Sequence, residues 1–254
     1  MHNVELYRDD AHLCVLLNES EELDEGGIHS NQFLILHQEF GVLLDPGGFG
    51  VMADVLEAML TYCEPEQIRY IVLSHQDPDI VGGLASWLEL TRATVLISRL
   101  WTRFIPHYGL PNTDRIVAIP DTGAQIDLGT SAVLDLIPAH FLHSEGNFQV
   151  YDPRAKILFS GDVGASELSG AETQTFIEDL APHLPRIEGF HRRYMASNRA
   201  IKAWRETLGE RPVELLAPQH GPVYRGAAVG QFLGWLEGLE CGVDLLQPGG
   251  VFRR

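Results

Sequence analysis

The sequence predicts an α/β protein, of the mixed α+β kind, in which helices pack outside two mixed β-sheets. Two observations lead to this prediction: strand-like and helix-like apolar runs alternate irregularly along the 254 residues, and hairpins occur in the first and middle parts of the chain. Elements in that order are typical of sheets that are covered by helices on their outer faces. The sequence shows no internal repeat, low-complexity segment or linker, so we expect a single domain over residues 1–254.

Apolar runs in the first half of the chain predict two hairpins, three helices and the strands between them. Clusters of turn residues, such as Asp45-Pro46-Gly47-Gly48, separate these runs. The predicted elements are two strands within 4–17, an acidic loop over 19–27, a hairpin of 33–36 and 42–44, a helix over 51–63, a strand ending at 72–74, a helix over 81–90, a strand over 94–97, a short helix beginning at 100–104 and a strand over 116–119.

The second half of the chain predicts fewer and longer elements. Prolines mark the positions where helical patterns are expected to break. The predicted elements are a strand over 132–137, a hairpin of 148–151 and 157–160 turned at Asp152-Pro153, mostly helix over 171–207 with breaks near Pro182 and Pro185, a strand over 213–217 and a last helix over 227–240.

Composition excludes several classes of partner. The formal net charge of −17 argues against binding to a nucleic-acid backbone or to an anionic membrane. No signal peptide and no apolar run of membrane-spanning length is visible, so a cytoplasmic location is expected. Cys14, Cys63 and Cys241 are far apart and form no CxxC pair. We therefore expect buried free thiols instead of a disulfide framework.

The stretch from Ile71 to Gly83 is the first candidate for chemistry. Here an apolar strand ends at His75, and Asp77 and Asp79 follow at spacing two. Pro78 is expected to keep the two acids in an extended loop instead of a helix. Alternate residues of an extended segment point the same way, so the three side chains are expected to converge, as ligands of a metal would. A solvated polar loop is the alternative.

Three further strands end in a similar way, with His or Asp beside Gly or Pro: Leu142-His143, Gly161-Asp162 and Gln219-His220. Each alone fits a turn Asp or a surface His. Together with the first stretch they give three His and three Asp, more than the four ligands of a structural zinc. The pattern therefore indicates two metals about 3.5–4 Å apart, with one carboxylate bridging them.

The order of these motifs resembles the metallo-β-lactamase superfamily over nearly the whole chain, which implies a four-layer αββα sandwich. Hydrolases of that superfamily carry H-x-H-x-D-H after the central strand, but Asp77 and Ile80 replace the second and last His here. His75-Gln76-Asp77-Pro78-Asp79 is similar instead to the H-x-[Glu/Asp]-x-D of flavodiiron proteins and of flavin-less oxygen-binding diiron proteins. The segments around His143, Asp162 and His220 agree with that subgroup.

The resemblance implies a set of ligands for two iron ions. His75, Asp77 and His143 would bind the first ion, and Asp79 and His220 the second. Asp162 would bridge them, together with an oxo or hydroxo group. Ile80 cannot ligate, so an open position beside an apolar wall is expected at the second metal. Independently, the carboxylate of Asp77 hardens the first site and suits iron or manganese.

The leading interpretation is therefore a non-haem diiron protein that binds, senses or reduces dioxygen, with nitric oxide as an alternative ligand. Because no phosphate loop and no flavodoxin domain is visible before Arg254, no internal flavin is expected and an external electron-transfer protein would supply electrons for turnover. The resemblance also implies a homodimer. The alternative function is a binuclear hydrolase of the same superfamily that acts on an ester, thioester or lactone. A partner-binding module without catalysis is the third class.

Several residues near the motifs receive other assignments. His140 competes with His143 as a ligand, but the Leu-His-Ser-x-Gly context favours His143, which leaves His140 a structural or ligand-orienting role. The remaining assignments are surface or helix positions for His29, His183 and His191, helix core for Tyr194, Ile201 and Trp204, and the lining of an apolar pocket for Phe141 and Phe148.

Overall fold

Two seven-stranded β-sheets organise the described residues, which are 3–17, 29–110, 112–166 and 174–246 of a computed structural model. The first sheet has its strands in chain order: β1 (Val4–Arg8), β2 (His12–Leu17), β3 (Gln32–His37), β4 (Phe40–Leu44), β5 (Ile68–Val72), β6 (Thr94–Ser98) and β7 (Ile116–Ile119). The second sheet has the order β12, β14, β13, β11, β10, β9, β8. Its strands are β8 (Ala124–Gly129), β9 (Ala132–Pro138), β10 (Phe148–Asp152), β11 (Ile157–Gly161), β12 (Phe176–Ile177), β13 (Leu215–Pro218) and β14 (Val223–Arg225).

Both sheets are mixed, as the sequence predicts. In the first sheet, β1 to β4 are antiparallel hairpin strands and β4 to β7 are parallel. In the second sheet, β8 to β11 are antiparallel, whereas β11 and β13 are parallel. The carboxyl ends of the parallel strands therefore lie at one edge of each sheet.

Helices cover the outer face of each sheet. They are α1 (Met52–Met59), α2 (Pro78–Val81), α3 (Leu84–Leu90), α4 (Leu184–Tyr194), α5 (Asn198–Leu208) and α6 (Ala227–Glu237), with 3₁₀ turns at Pro65–Gln67, Ile105–Tyr108 and Gly242–Leu245. Within the described ranges, no helix is both long and apolar enough to cross a membrane.

The alternation of side chains along β3 shows how the layers form. Phe33 and Ile35 pack between the two sheets, whereas Leu34 packs under the helices of the first sheet, because successive residues of a strand point to opposite faces. The Phe33 ring meets Phe159 of the second sheet with centroids 5.0 Å apart. Truncating such a buried phenylalanine to alanine costs about 3–5 kcal/mol. A third apolar cluster joins the second sheet to α4, α5 and α6. The layers are thus helix, sheet, sheet, helix.

Most predicted elements are confirmed. The hairpins within 4–17, at 33–44 and at 148–160 are present as antiparallel pairs. The three cysteines are free and buried. The acidic loop over 19–27 lies entirely outside the described residues, as do residues 171–173 at the start of the segment 171–207.

Several predictions of local structure are wrong, and three short strands are not predicted at all. Residues 100–104 form turns, and helical geometry begins only at Ile105 as a short 3₁₀ turn. The helical segment before residue 208 does not break at Pro185, which lies in the first turn of α4 where a missing N–H costs nothing. The break comes at residues 195–197, where the Ser197 side chain accepts a hydrogen bond from the Ala200 N–H and begins α5. The strands that the sequence does not predict are β8, β12 and β14. In β8, Ile126 and Leu128 alternate with polar residues, and β12 lies within the segment 171–207 that was expected to be mostly helical, where the helix begins only at Leu184.

Candidate metal centre

The six predicted ligand side chains lie at one edge of the sandwich, where strands of both sheets end. His75, Asp77 and Asp79 follow β5 of the first sheet. The other three follow strands of the second sheet or lie between them: His143 between β9 and β10, Asp162 after β11 and His220 after β13. A backbone hydrogen bond of 2.9 Å from the Phe148 N–H to the Ser74 carbonyl joins the two sheets at this edge.

The stretch around Pro78 differs from its predicted extended loop. Pro78 is the first residue of helix α2, and Asp77 precedes that helix with extended backbone angles of φ −66° and ψ 149°. Proline favours the first helical position because its missing N–H would have no partner there and its fixed φ suits a helix. Asp79 therefore lies within the first turn of α2, and the two acids reach different parts of the site.

The first group of side chains consists of His75, Asp77 and His143 around one oxygen of Asp162. The Oδ2 atom of Asp162 lies 2.8 Å from His143 Nε2 and 3.5 Å from His75 Nε2. Asp77 Oδ2 lies 3.4 Å from His143 Nε2 and 3.5 Å from His75 Nε2. His75, His143 and Asp162 each offer a ligand atom, and these atoms lie within 4.8 Å of one another. These three atoms thus have the spacing of ligands around a single ion, and Asp77 Oδ2 lies beside both imidazoles.

The second group consists of Asp79 and His220 around the other oxygen of Asp162. His220 Nε2 lies 3.4 Å from Asp79 Oδ2 and 3.4 Å from Asp162 Oδ1. The two carboxylate oxygens of Asp162 therefore face two different groups of side chains. This is the arrangement that a bridging carboxylate needs.

The environment of Asp162 provides a test of whether the residues fit a metal. Asp162 is buried, and its Oδ1 atom has no hydrogen-bond partner. Burying a charged oxygen without a partner is costly unless a cation or a donor compensates it. A donor set of imidazole nitrogens and carboxylate oxygens suits iron or manganese. The residues present therefore fit a pair of such ions.

Outer hydrogen bonds orient several of these side chains. The Nδ1 atom of His75 lies 2.9 Å from Ser74 Oγ, and the Nδ1 atom of His220 lies 2.6 Å from the His29 carbonyl. Because His29 presents a carbonyl oxygen, the hydrogen of His220 lies on Nδ1 and its Nε2 lone pair faces the centre. Gln76 donates to Asp77 Oδ1 over 2.9 Å, which turns Oδ2 of that carboxylate towards the imidazoles.

Attraction between imidazoles and carboxylates shifts several pKa values here. Burial alone would lower the pKa of His143, but hydrogen bonds to Asp162 and Asp77 raise it to about 10. Burial alone would raise the pKa of Asp162, but the charge of His75 and the hydrogen bond from His143 lower it to about 2. Metal binding would therefore displace protons from the imidazoles, so affinity falls with decreasing pH.

Some residues near the predicted ligands lie where the sequence predicts, and others do not. The His140 imidazole is hydrogen-bonded to the Asp121 carbonyl, with Nε2 to O at 3.0 Å. Tyr194 is not core as predicted: it is 55% exposed, and its ring lies 5.5 Å from that of His143. Ile201 and Trp204 are buried in the core as predicted. Tyr194 is the last residue of α4, a position whose exposure the helical pattern alone does not reveal.

Ile80 and Phe148 differ from expectation, whereas Phe141 and His191 agree with it. Ile80 is fully buried in the core beneath the first sheet, so the structure shows no exposed apolar wall there. Phe141 lines a surface cavity of about 500 Å³, but Phe148 is fully buried and does not line it. His191 lies on a helix as predicted, yet it is fully buried and its Nε2 accepts a 2.9 Å hydrogen bond from the Gly164 N–H.

The two mixed sheets between helical layers, with the motif residues at one edge, define a metallo-β-lactamase-like protein. Residues 28–221 match the family model described as ODP family beta lactamase, and the chain belongs to that family. The predicted fold class and the predicted kinship with flavodiiron-like proteins are thereby confirmed.

Three solved structures are similar to this chain in fold, and two of them also in sequence. The chain is 42% identical to a structure described as the peroxy diiron species of the chemotaxis sensor ODP, with a TM-score of 0.87 over 96% of this chain and 98% of that one. The apo state of the chemotaxis sensor ODP from T. denticola gives 42% identity and a TM-score of 0.85, over 96% of this chain and 97% of that one. The Flv1 flavodiiron core from Synechocystis sp. PCC6803 is 19% identical with a TM-score of 0.74, over 92% of this chain and 60% of that one, and shows the fold alone.

Curated relatives are longer proteins. The chain is 27% identical over 202 residues to the putative diflavin flavoprotein A 2 of Nostoc sp. (strain PCC 7120), covering 78% of this chain and 34% of that protein. It is 28% identical over 191 residues to the diflavin flavoprotein A 1 of Synechocystis sp. (strain PCC 6803), covering 72% of this chain and 32% of that protein. The chain spans about a third of the length of these relatives.

Proposed function

We propose that this chain is a non-haem diiron protein that binds dioxygen at the candidate metal centre. The observation that carries the proposal is the position of Asp162, whose two oxygens face two separate groups of side chains. The chain is 42% identical to the chemotaxis sensor ODP, whose structure is described as a peroxy diiron species. This similarity supports iron as the bound metal and dioxygen as the small molecule that binds to it. The proposed ligands are His75, Asp77 and His143 for one ion, Asp79 and His220 for the other, and Asp162 between them, with an oxo or hydroxo group.

The residues of the chain hold and orient this centre. A pair of ferrous ions held by these residues would be able to supply two electrons to dioxygen. The outer hydrogen bonds to Ser74 and to the His29 carbonyl fix the two imidazoles in place before any ion binds. Phe190 and Tyr194 stack with ring centroids 4.8 Å apart. These rings pack against the ring of His143, with centroids 6.0 and 5.5 Å from it.

The supply of electrons separates the reduction of dioxygen from its sensing. Reduction of dioxygen to water takes four electrons, so sustained turnover would need an external electron-transfer protein, and no flavin is proposed within residues 1–254. Sensing by binding alone would need no such donor, and a solved structure at 42% identity is described as a chemotaxis sensor. We further propose that the chain acts as one domain, forms a homodimer and works in the cytoplasm, where its three free cysteines would stay reduced.

Metal analysis together with an absorption spectrum tests the proposal. Protein purified without oxygen and supplied with iron should hold two iron ions per chain. After one exposure to oxygen it should develop a visible band that persists for minutes, with little oxygen uptake at steady state. One tightly bound zinc ion without a second metal would contradict the diiron centre. Formation of the spectrum of oxidised iron within seconds, without the persistent band, would contradict oxygen binding.

A further inference from the structure

A second cluster of metal-ligating side chains lies between the two sheets. His12 and Cys14 are on β2 and, at spacing two, point to the same face of the first sheet. Asp152 ends β10 of the second sheet and reaches them across the interface. The three side chains are almost completely buried, at 3%, 0% and 0% exposure. Residues of three ligand types thus meet inside the protein.

This cluster is separate from the candidate metal centre. Strand β10 begins at Phe148, whose N–H bonds to Ser74 beside His75, and ends at Asp152. The four steps along the strand from Phe148 to Asp152 span about 13 Å. The two clusters therefore lie near opposite ends of β10 and share no side chain.

The ligand atoms of the cluster have nearly the spacing of a zinc site. Cys14 Sγ lies 3.5 Å from His12 Nε2 and 3.3 Å from Asp152 Oδ2. Zinc–ligand bonds of about 2.3 Å to sulfur and about 2.0–2.1 Å to nitrogen or oxygen, at tetrahedral angles, place such atoms about 3.5 Å apart. The third pair, His12 Nε2 and Asp152 Oδ2, is 2.6 Å apart and would open by about 0.7 Å in that geometry.

Hydrogen bonds around the cluster aim these atoms at one point. Asp152 Oδ1 accepts the backbone N–H groups of Arg154 and Ala155, at 2.9 and 3.1 Å, which leaves Oδ2 for the cluster. His12 Nδ1 lies 3.2 Å from His37 Nδ1, and His37 Nε2 lies 2.6 Å from Thr130 Oγ1. Without an ion, the short contact of 2.6 Å means that His12 Nε2–H donates to Asp152 Oδ2. With an ion bound, the hydrogen would lie on His12 Nδ1 and be donated to His37 Nδ1, while His37 Nε2–H donates to Thr130, and the His12 Nε2 lone pair would be free.

We propose that His12 Nε2, Cys14 Sγ and Asp152 Oδ2 bind a zinc ion as a second metal site of this protein. A dication with one thiolate and one carboxylate is neutral as a unit, so its burial avoids an uncompensated charge. Binding replaces the thiol S–H by a zinc–sulfur bond and releases that proton to solvent. Without the ion, burial raises the pKa of the Cys14 thiol well above its ordinary value, so the thiol stays protonated and donates to Asp152.

Cobalt(II) is a suitable probe because sulfur ligation gives it an intense near-ultraviolet absorption. The candidate metal centre contains no cysteine, so this band reports only a thiolate site. The full chain is refolded without oxygen in excess cobalt, since the cluster has no opening to solvent. We expect the band, and one metal per chain beyond the two of the candidate metal centre. The Cys14→Ser variant should lose the band, and the matched control Cys241→Ala, which removes another buried thiol, should keep it.

Two results would overturn the proposal: a refolded wild-type protein without the band, or a band that survives in Cys14→Ser. The first would mean that His12, Cys14 and Asp152 form only a hydrogen-bond network between the sheets. Should Cys14→Ser fail to fold, X-ray absorption at the zinc edge of the wild-type protein decides. A sulfur neighbour at about 2.3 Å from zinc supports the site, and its absence refutes it.

Discussion

The Oδ2 atom of Asp162 lies 2.8 Å from Nε2 of His143, while Oδ1 of the same carboxylate is buried without a hydrogen bond. One oxygen is thus held by an imidazole of the first group, and the other faces His220 at 3.4 Å. The carboxylate is fixed between the two groups before any ion is present.

Replacing Asp162 by Asn should remove the bridge while keeping the side chain's size. We expect iron content to fall from two ions per chain to one or none, because the amide offers only one oxygen and no charge. The affinity for iron should decrease by more than the factor of about 10–100 that is typical when a hydrogen-bond partner of a metal ligand is removed. Elemental analysis after loading with excess iron measures it. A variant that still binds two ions with unchanged affinity would exclude Asp162 as the bridge.

His143 and His140 provide a matched pair. His143→Ala should lose the iron of the first group and any spectral response to oxygen, since its Nε2 contacts both Asp77 and Asp162. His140→Ala should retain both ions, because its imidazole bonds to the Asp121 carbonyl instead. Iron analysis of both variants in excess iron is the measurement. The opposite result would mean that the loop between β9 and β10 is arranged differently around the metals.

Hydrolysis of thioesters and lactones should remain at background. Asp77 stands where superfamily hydrolases carry a histidine, and the buried Ile80 offers no ligand at all. A panel of ester, thioester and lactone substrates, tested with zinc-loaded and iron-loaded protein, provides the measurement. A kcat/KM of about 10⁴ M⁻¹s⁻¹ or more with any of them would favour the hydrolase alternative.

Gly221 follows His220 and has φ +83°, a conformation in which side chains are strained. A Cβ atom there would lie 2.0 Å from Ser166 Oγ. Gly221→Ala should therefore lower the free energy of unfolding by about 1–3 kcal/mol. It should also weaken metal binding by the neighbouring His220. Gly230 in α6 is the control, since a Cβ there meets nothing within 4 Å. Gly230→Ala should stabilise the protein by up to about 1 kcal/mol. Equal effects in denaturant titrations would contradict this.

Acid should destabilise the protein through His191. Burial lowers the pKa of His191 to about 4, so the unfolded chain binds the proton first as pH falls. The stabilising contribution is therefore complete above about pH 6.5 and is lost as pH decreases towards 4, at a cost of about 3 kcal/mol. Denaturant titrations of metal-free protein at several pH values measure this. His191→Gln, neutral at every pH, should be less stable at pH 7 but show a smaller decrease with acid. An unchanged slope would assign the effect to other groups.

The sequence predicts well what depends on periodicity and on strand ends. Buried strands such as β5 show up as apolar runs, and the residues that follow them collect at one sheet edge because parallel strands end together. For this reason local pattern alone predicts that His75, Asp162 and His220 lie at that edge. The choice of His143 over His140 needed the family resemblance, since both follow the same strand.

Contacts between distant segments could not be predicted. His12, Cys14 and Asp152 carry no motif, and their meeting depends on how the two sheets stack. The position of Tyr194 beside His143 likewise depends on where α4 packs. Pro78 shows a different limit: proline excludes helix before itself but begins one equally well, and local sequence did not decide between these.

The division of the sheets along the chain has a consequence for assembly. Strands of the first sheet all precede residue 120 and strands of the second all follow residue 123. Among the described residues, the proposed iron ligands also divide into three from each half. Two fragments cut between these residues would each contain a whole sheet but only half of the ligands. Iron that is bound by ligands from both fragments would hold the fragments together. The affinity of the fragments for each other, measured by gel filtration, should therefore increase with iron and decrease when a chelator removes it.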